Sequence, residues 1–265
     1  MTQLQSTGTR ASEFCTQDGF AYRFDWGPNG LRALAPGADV VIIIDVLRFT
    51  TAVCAAAESD CVVFPYRWAD DNAQAYADEH EALLAGRRED GVLSLSPTDL
   101  LAATRGTRIV LPSPNGSALA FAAIGHGATH VLAGCLRNAS ATALHARNLA
   151  AAGNGVVAMI AAGERWHGAT GPIRPAVEDA LGAGAVLAAL DPSAAVANPC
   201  CSPEAAAVRA AFLAARPRLY EALATCASGR ELIDHGWDDD VATAAALDVT
   251  DRVVELRGDA FVGLT

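Results

Sequence analysis

Lysine does not occur in this chain: all nineteen basic residues among its 265 are arginine. That excludes every mechanism that needs a lysine amine, including Schiff-base chemistry and a Walker A phosphate loop. Clusters of basic residues are missing as well. With a net charge of −11, neither nucleic acid nor an anionic membrane is an expected partner. No apolar run reaches the roughly 18 residues of a membrane span, and no cationic, apolar leader marks a signal peptide. The seven cysteines are odd in number and form no CxxC pair, which argues against structural zinc and against a disulfide framework. Several lie in apolar runs, where a free thiol behaves as a small hydrophobe. These absences together lead us to expect a cytoplasmic protein.

What is present is a large apolar complement. Hydrophobic residues make up 52% of the chain, too many for a disordered protein, and the length suits one large domain or two small ones. Short apolar runs alternate with Ala-rich helical ones. Strands are expected at 20–26, 40–45, 61–66, 92–95, 109–112, 130–135, 156–161 and 252–256. Helices are expected at 50–59, 68–84, 98–104, 117–124, 140–152, 174–190, 202–214, 218–228 and 241–247. Strand–helix alternation over 40–190 predicts an α/β fold, a three-layer α/β/α arrangement around a mostly parallel sheet. Residues 191–250 read as helices alone, behind the Pro192-Ser193 and Asn198-Pro199-Cys200-Cys201-Ser202-Pro203 breakers. The expected division is therefore an N-terminal extension over 1–19, an α/β core over 20–190, and a helical cap or subdomain over 191–265 whose last strand returns to the sheet.

The most informative stretch is Val40-Val41-Ile42-Ile43-Ile44-Asp45-Val46-Leu47-Arg48-Phe49-Thr50-Thr51. Five consecutive β-branched residues predict a strand buried on both faces. Asp45 ends it, Arg48 follows, and Thr50 and Thr51 lead into a helix. A carboxylate, a guanidinium and hydroxyls thus gather where open α/β proteins place ligands, beside a helix N-terminus that favours anions. A simple helix cap with a surface ion pair is the plainer alternative.

Four further segments carry chemistry. Leu93-Ser94-Leu95-Ser96-Pro97 ends an expected strand in a Ser-Pro helix start, with Ser96 as cap. Pro112-Ser113-Pro114-Asn115-Gly116-Ser117 is a second strand-to-helix turn whose small residues let backbone N–H groups approach an anion. The loop at 163–171 mixes glycines with Glu164, Arg165, Trp166 and His167, as mobile active-site loops do. Glu178 and Asp179 sit in an otherwise apolar helix. They either face water or are balanced by a cation, since burying two carboxylates uncompensated is costly. Joined with Asp45 they would offer the hard oxygen ligands that Mg²⁺ prefers.

Taken in order, Asp45–Thr51, the Ser96-Pro97 step, Asn115-Gly116-Ser117, the Ala-Gly-Glu-Arg-Trp loop, Glu178-Asp179 before Gly182-Ala183-Gly184, and Ser228-Gly229-Arg230…Gly236…Asp239-Asp240 resemble the 2-phosphosulfolactate phosphatase family across roughly residues 20–260. The resemblance implies a Mg²⁺-dependent phosphatase acting on a small phosphorylated carboxylic or sulfonic acid. It assigns catalytic roles to Asp45, Arg48 and Glu178 and metal binding to Asp45, Glu178 and Asp179. Substrate contacts are expected from Thr50, Thr51, Ser96, Asn115, Gly116 and Ser117, with Arg165 or Arg174 meeting the acidic end. Leu93–Pro97 and the Trp166-His167 pair depart from the family's pattern where the non-phosphate end would be read. A haloacid-dehalogenase-type site is rejected, because its second acid would fall at Leu47 and it commonly uses a lysine. A non-catalytic binder of a phosphorylated metabolite and a sugar-phosphate phosphatase are the competing readings. Direct attack by water and phosphorylation of a side chain both stay open, as does a homodimer.

Overall fold

The computed structural model describes residues 13–67, 72–166, 171–192 and 200–264. The first twelve residues of the expected N-terminal extension, the start of the expected helix at 68, and His167 lie outside these. The elements follow one another as β1 (Tyr22–Trp26), α1 (Gly27–Leu34), β2 (Val40–Ile44), α2 (Phe49–Glu58), β3 (Val62–Tyr66), α3 (Ala73–Glu79) and β4 (Leu83–Leu84). They continue as α4 (Pro97–Leu101), β5 (Arg108–Pro112), α5 (Gly116–Gly125), β6 (His130–Gly134), α6 (Ala139–Ala150) and β7 (Val157–Ala161). A small hairpin, β8 (Glu164–Arg165) and β9 (Ile173–Arg174), precedes the long α7 (Val177–Leu190). The chain closes with α8 (Pro203–Ala215), α9 (Leu219–Thr225), α10 (Ala227–Asp234), α11 (Asp238–Ala245), β10 (Val253–Arg257) and β11 (Ala260–Leu264).

Nine strands form one sheet in the order β1-β7-β2-β6-β10-β11-β3-β5-β4. Pairing is parallel within β1-β7-β2-β6 and within β3-β5-β4. The C-terminal hairpin β10–β11 lies between these halves, antiparallel to β6 on one side and β3 on the other. The expected final strand is therefore a hairpin inserted at the middle of the sheet. Its second arm, Ala260–Leu264, contains Gly263 and carries too weak an alternation to be read from sequence. Expected strand 92–95 is not formed; only Ser94 bridges, to Gly86. Its place goes to the Ser96 cap, whose hydroxyl accepts from Asp99 N.

β2 shows why the sheet is covered on both sides. All five of its residues are completely buried, and the alternation of side chains divides them between two cores. Val41 and Ile43 pack with Leu31, Phe49, Leu100 and Leu119 from α1, α2, α4 and α5. Val40, Ile42 and Ile44 pack with Ala143, Leu187, Phe212 and Val241 from α6, α7, α8 and α11. Each such side chain contributes about 1.5–3 kcal/mol by leaving water. The three-layer α/β/α architecture follows from that two-sided burial. The helices of 203–245 join the second core directly, since Phe212, Leu223, Leu232 and Val241 all belong to it.

Candidate active site

The ends of β2, β5 and β7 are stitched together by carboxylates. Asp45, just past β2, accepts from Phe49 N at 3.2 Å through Oδ1 and from Gly116 N at 3.0 Å through Oδ2. Gly116 opens α5 just past β5, and a Cβ there would lie 2.8 Å from Asp45 Oδ2 and strike the Phe49 ring. Asp179, in the first turn of α7, accepts from Val46 N at 2.8 Å and from Gly163 N at 2.9 Å. Gly163 follows β7 with φ +66°, the left-handed region, and a Cβ would meet Arg174 O at 2.7 Å.

The acids crowd one another. Burial first, then the charges of Glu164 and Glu178, push the Asp45 carboxyl up to about 7 against two opposing backbone hydrogen bonds. Burial, Asp45 and Glu178 push Asp179 well above the ordinary carboxylate range. Glu178 is itself buried. It also sits beside the Cys226 thiol that caps α10, pushed up to about 12 by burial and by Glu178. Among the described residues no arginine pairs with Asp45, Glu178 or Asp179. Glu178 and Asp179 therefore do not face water.

Whether these acids fit Mg²⁺ depends on the kind of site required. Among the described residues no three acidic, histidine or cysteine side chains converge as a ready coordination cage. Mg²⁺ seldom uses one, however: it keeps waters and binds through one or two carboxylates plus substrate phosphate. Buried, mutually repelling hard-oxygen donors with no arginine to neutralise them fit that mode. Asp45 is the member that reaches the cleft.

That cleft has a volume of about 390 Å³ and is lined by Asp45, Arg48, Ser113, Asn115, Glu164, Ser228, His235 and Trp237, among others. Arg48 lies under the Trp237 ring, with its guanidinium carbon 4.9 Å from the ring centre. Its Nη1 donates to Asp240 Oδ2 at 2.7 Å, while Nε and Nη2 make no hydrogen bond to the described residues. Asn115 donates from Nδ2 to Glu164 Oε1 at 3.2 Å and accepts at Oδ1 from Arg165 Nε at 3.3 Å. A second, adjoining cleft of about 640 Å³ shares Arg48, Leu95 and Trp237 and is lined beyond them by Arg87 and Arg88.

Of the residues singled out by sequence, the structure brings Asp45, Arg48 and Asn115 together at the cleft, with Gly116 bonded to Asp45 and with Glu178 and Asp179 packed behind. Three hydroxyls go elsewhere. Thr50 Oγ1 accepts from Asp45 N at 3.0 Å and donates to Asp45 O at 2.9 Å, closing the turn into α2. Thr51 Oγ1 donates to Val46 O at 2.7 Å, and Ser117 Oγ to Leu111 O at 3.3 Å. All three are fully buried. Their hydroxyls are engaged by the chain's own backbone. Ser96, also fully buried, donates to Asp240 Oδ1 at 2.5 Å. Arg165 holds Asn115 and the Gly171 carbonyl. Arg174 is turned onto the Trp166 ring, 5.7 Å from its centre.

Sequence reasoning did not single out Glu164 as a partner of Asn115, nor Ser228, His235 and Trp237 as walls of the cleft. The only signal for the last three was the late Ser228-Gly229-Arg230…Gly236…Asp239-Asp240 pattern, which carried no role on its own.

Residues 31–259 match the family model described as 2-phosphosulpholactate phosphatase. A protein of Thermus thermophilus named probable 2-phosphosulfolactate phosphatase is 31% identical over 233 residues, covering 83% of this chain and 89% of that protein. With the match running from α1 to the turn before β11, and with Asp45, Arg48, Gly116 and the α10–α11 segment all inside it, the chain belongs to the 2-phosphosulpholactate phosphatase family.

Proposed function

We propose that this protein is a Mg²⁺-dependent phosphatase that hydrolyses a small acidic phosphate monoester, 2-phosphosulfolactate being the substrate that its family and its Thermus relative suggest. The observation that carries the reading is the meeting of Asp45, Arg48 and the Asn115–Gly116 turn on one cleft.

Arg48 offers Nε and Nη2, which make no hydrogen bond to the described residues, to two phosphoryl oxygens, the planar bidentate contact that an ammonium cannot make. Asp45, fixed at both oxygens by backbone amides, and Glu178 behind it would hold the cation. When bound, Mg²⁺ polarises a phosphoryl oxygen and offsets developing charge. Trp237 covers the Arg48 guanidinium and keeps water from competing for it. Asn115, braced by Glu164 and Arg165, keeps the Gly116 amide aimed at Asp45.

Release of inorganic phosphate from a panel of 2-phosphosulfolactate, phosphoglycolate, a sugar phosphate and an aryl phosphate, with Mg²⁺ or with EDTA, tests this. Turnover of the acidic esters with Mg²⁺ and none with EDTA is expected. Binding of these esters without phosphate release would instead identify a non-catalytic binder.

A further inference from the structure

Asp238, Asp239 and Asp240 open α11. Three acids in a first turn need no special explanation, since the helix dipole favours them. Asp240 differs from its neighbours because it is completely buried while Asp238 is exposed. Favourable interaction with a helix end does not require burial, and a buried carboxylate is costly unless it is paired.

Its partners show what burial serves. Oδ2 accepts from Arg48 Nη1 at 2.7 Å, across 192 residues of sequence, and Oδ1 accepts from Ser96 Oγ at 2.5 Å. Arg88 Nη1 lies 3.3 Å from Oδ2, but that guanidinium already donates twice to Asp239, at 3.1 and 2.6 Å. Asp239 is correspondingly held below the ordinary carboxylate range by Arg88. Asp239 thus takes both of the hydrogen bonds that Arg88 gives this turn, whereas Asp240 accepts the one from Arg48 and shares its charge with Arg88 without a hydrogen bond to it.

We infer that Asp240 is the positioning residue of the phosphoryl clamp: it fixes the Arg48 guanidinium by one nitrogen so that the other two point into the cleft. Ser96, capping α4, fixes Asp240 in turn, and Trp237, one turn before it, closes over the same guanidinium. The C-terminal helices therefore complete the site through a residue that touches no substrate. This inference rests on the reading of Arg48 given under Proposed function.

The test is a double-mutant cycle on folded protein, which separates action through Arg48 from a general structural role. Wild type, Asp240→Asn, Arg48→Gln and the double variant are compared by kcat and KM for 2-phosphosulfolactate and by calorimetric affinity for inorganic phosphate. Asp240→Asn should raise KM and the phosphate Kd about tenfold or more, as loss of a charged hydrogen bond does. In the Arg48→Gln background the same substitution should change neither. Equal fold-losses in both backgrounds would make Asp240 merely structural and overturn the inference. Should Asp240→Asn fail to fold, Asp240→Glu, which keeps the charge but displaces it by a methylene, enters the same cycle with the same two outcomes. A wild type that binds phosphate without hydrolysing any ester defeats the phosphatase reading alone, and the cycle on affinity still decides the role of Asp240. A wild type that does neither overturns both.

Discussion

The amide of Gly116 donates to Asp45 Oδ2 at 3.0 Å, and the space a side chain would need at Gly116 is already filled by that oxygen and the Phe49 ring. Residues 71 positions apart, after two different strands, thus form one half of a cradle whose shape depends on the lack of a Cβ. The dihedral of Gly116 is ordinary for any residue, so here glycine is required for space.

Gly116→Ala should therefore damage the site before it damages the fold. Displacing Asp45 or Phe49 by a methyl group costs about 1–3 kcal/mol in a packed interior, and kcat/KM should fall at least about tenfold as the carboxylate moves. Denaturant midpoints and kinetics of the same preparation check both. Unchanged kinetics would show that Gly116 and Asp45 are not part of one constellation.

Asp45→Asn should cut the rate by about a hundredfold or more, since a metal ligand or an attacking carboxylate is worth several kcal/mol. Arg48→Lys should lower kcat and raise KM together. The ammonium retains charge, but it cannot both reach Asp240 and present two coplanar donors. Near-normal kcat/KM in either folded variant would move the anion site elsewhere.

The metal-free protein should lose stability as pH rises. The Asp45 carboxyl, pushed up to about 7 by burial and neighbouring acids, ordinarily titrates near 3.8, so between those values the folded chain holds a proton that the unfolded chain has released. Folding is then opposed by up to about 1.4 kcal/mol per pH unit, and the loss is complete once pH passes the folded value. Asp179 shifts in the same direction. Unfolding in EDTA from pH 5.5 to 8.5, compared with Asp45→Asn to remove the contributions of other groups, should show wild type falling more steeply. Added Mg²⁺ should restore stability at pH 8. Parallel slopes for the two proteins, or no effect of Mg²⁺, would contradict the acid cluster as a cation site.

Arg165→Ala should weaken turnover of an aryl phosphate about as much as that of an acidic ester. The guanidinium holds Asn115 and the Gly171 carbonyl, so its loss loosens the turn that all substrates share. A loss confined to the acidic ester would instead place Arg165 on the substrate's far end, as the sequence alone suggested.

Local pattern determined a good deal about this protein. The β-branched run 40–44 fixed a doubly buried strand, and the Ala-rich alternation around it fixed a three-layer α/β fold. Both signals are dense because each residue's neighbours in sequence are also its neighbours in the element. Asp45 and Arg48 were legible as site candidates for the same reason: two opposite charges at the end of so apolar a strand have few structural explanations. Gly116 and Ser96 were legible as turn and cap, and the total lack of lysine excluded whole mechanisms outright.

Tertiary structure decided the rest, because pairing across long separations leaves no local trace. Thr50, Thr51 and Ser117 look like ligand groups in a string of letters, yet their hydroxyls close the nearest carbonyls once the backbone turns. The β10–β11 hairpin takes the middle of the sheet by pairing with β6 on one side and β3 on the other, strands far from it in sequence. Asp240 reads as one of three aspartates until the fold carries it 192 residues back to Arg48. A charge declares itself in sequence, but whether it faces water, a backbone amide or a guanidinium is settled by which distant surface packs over it.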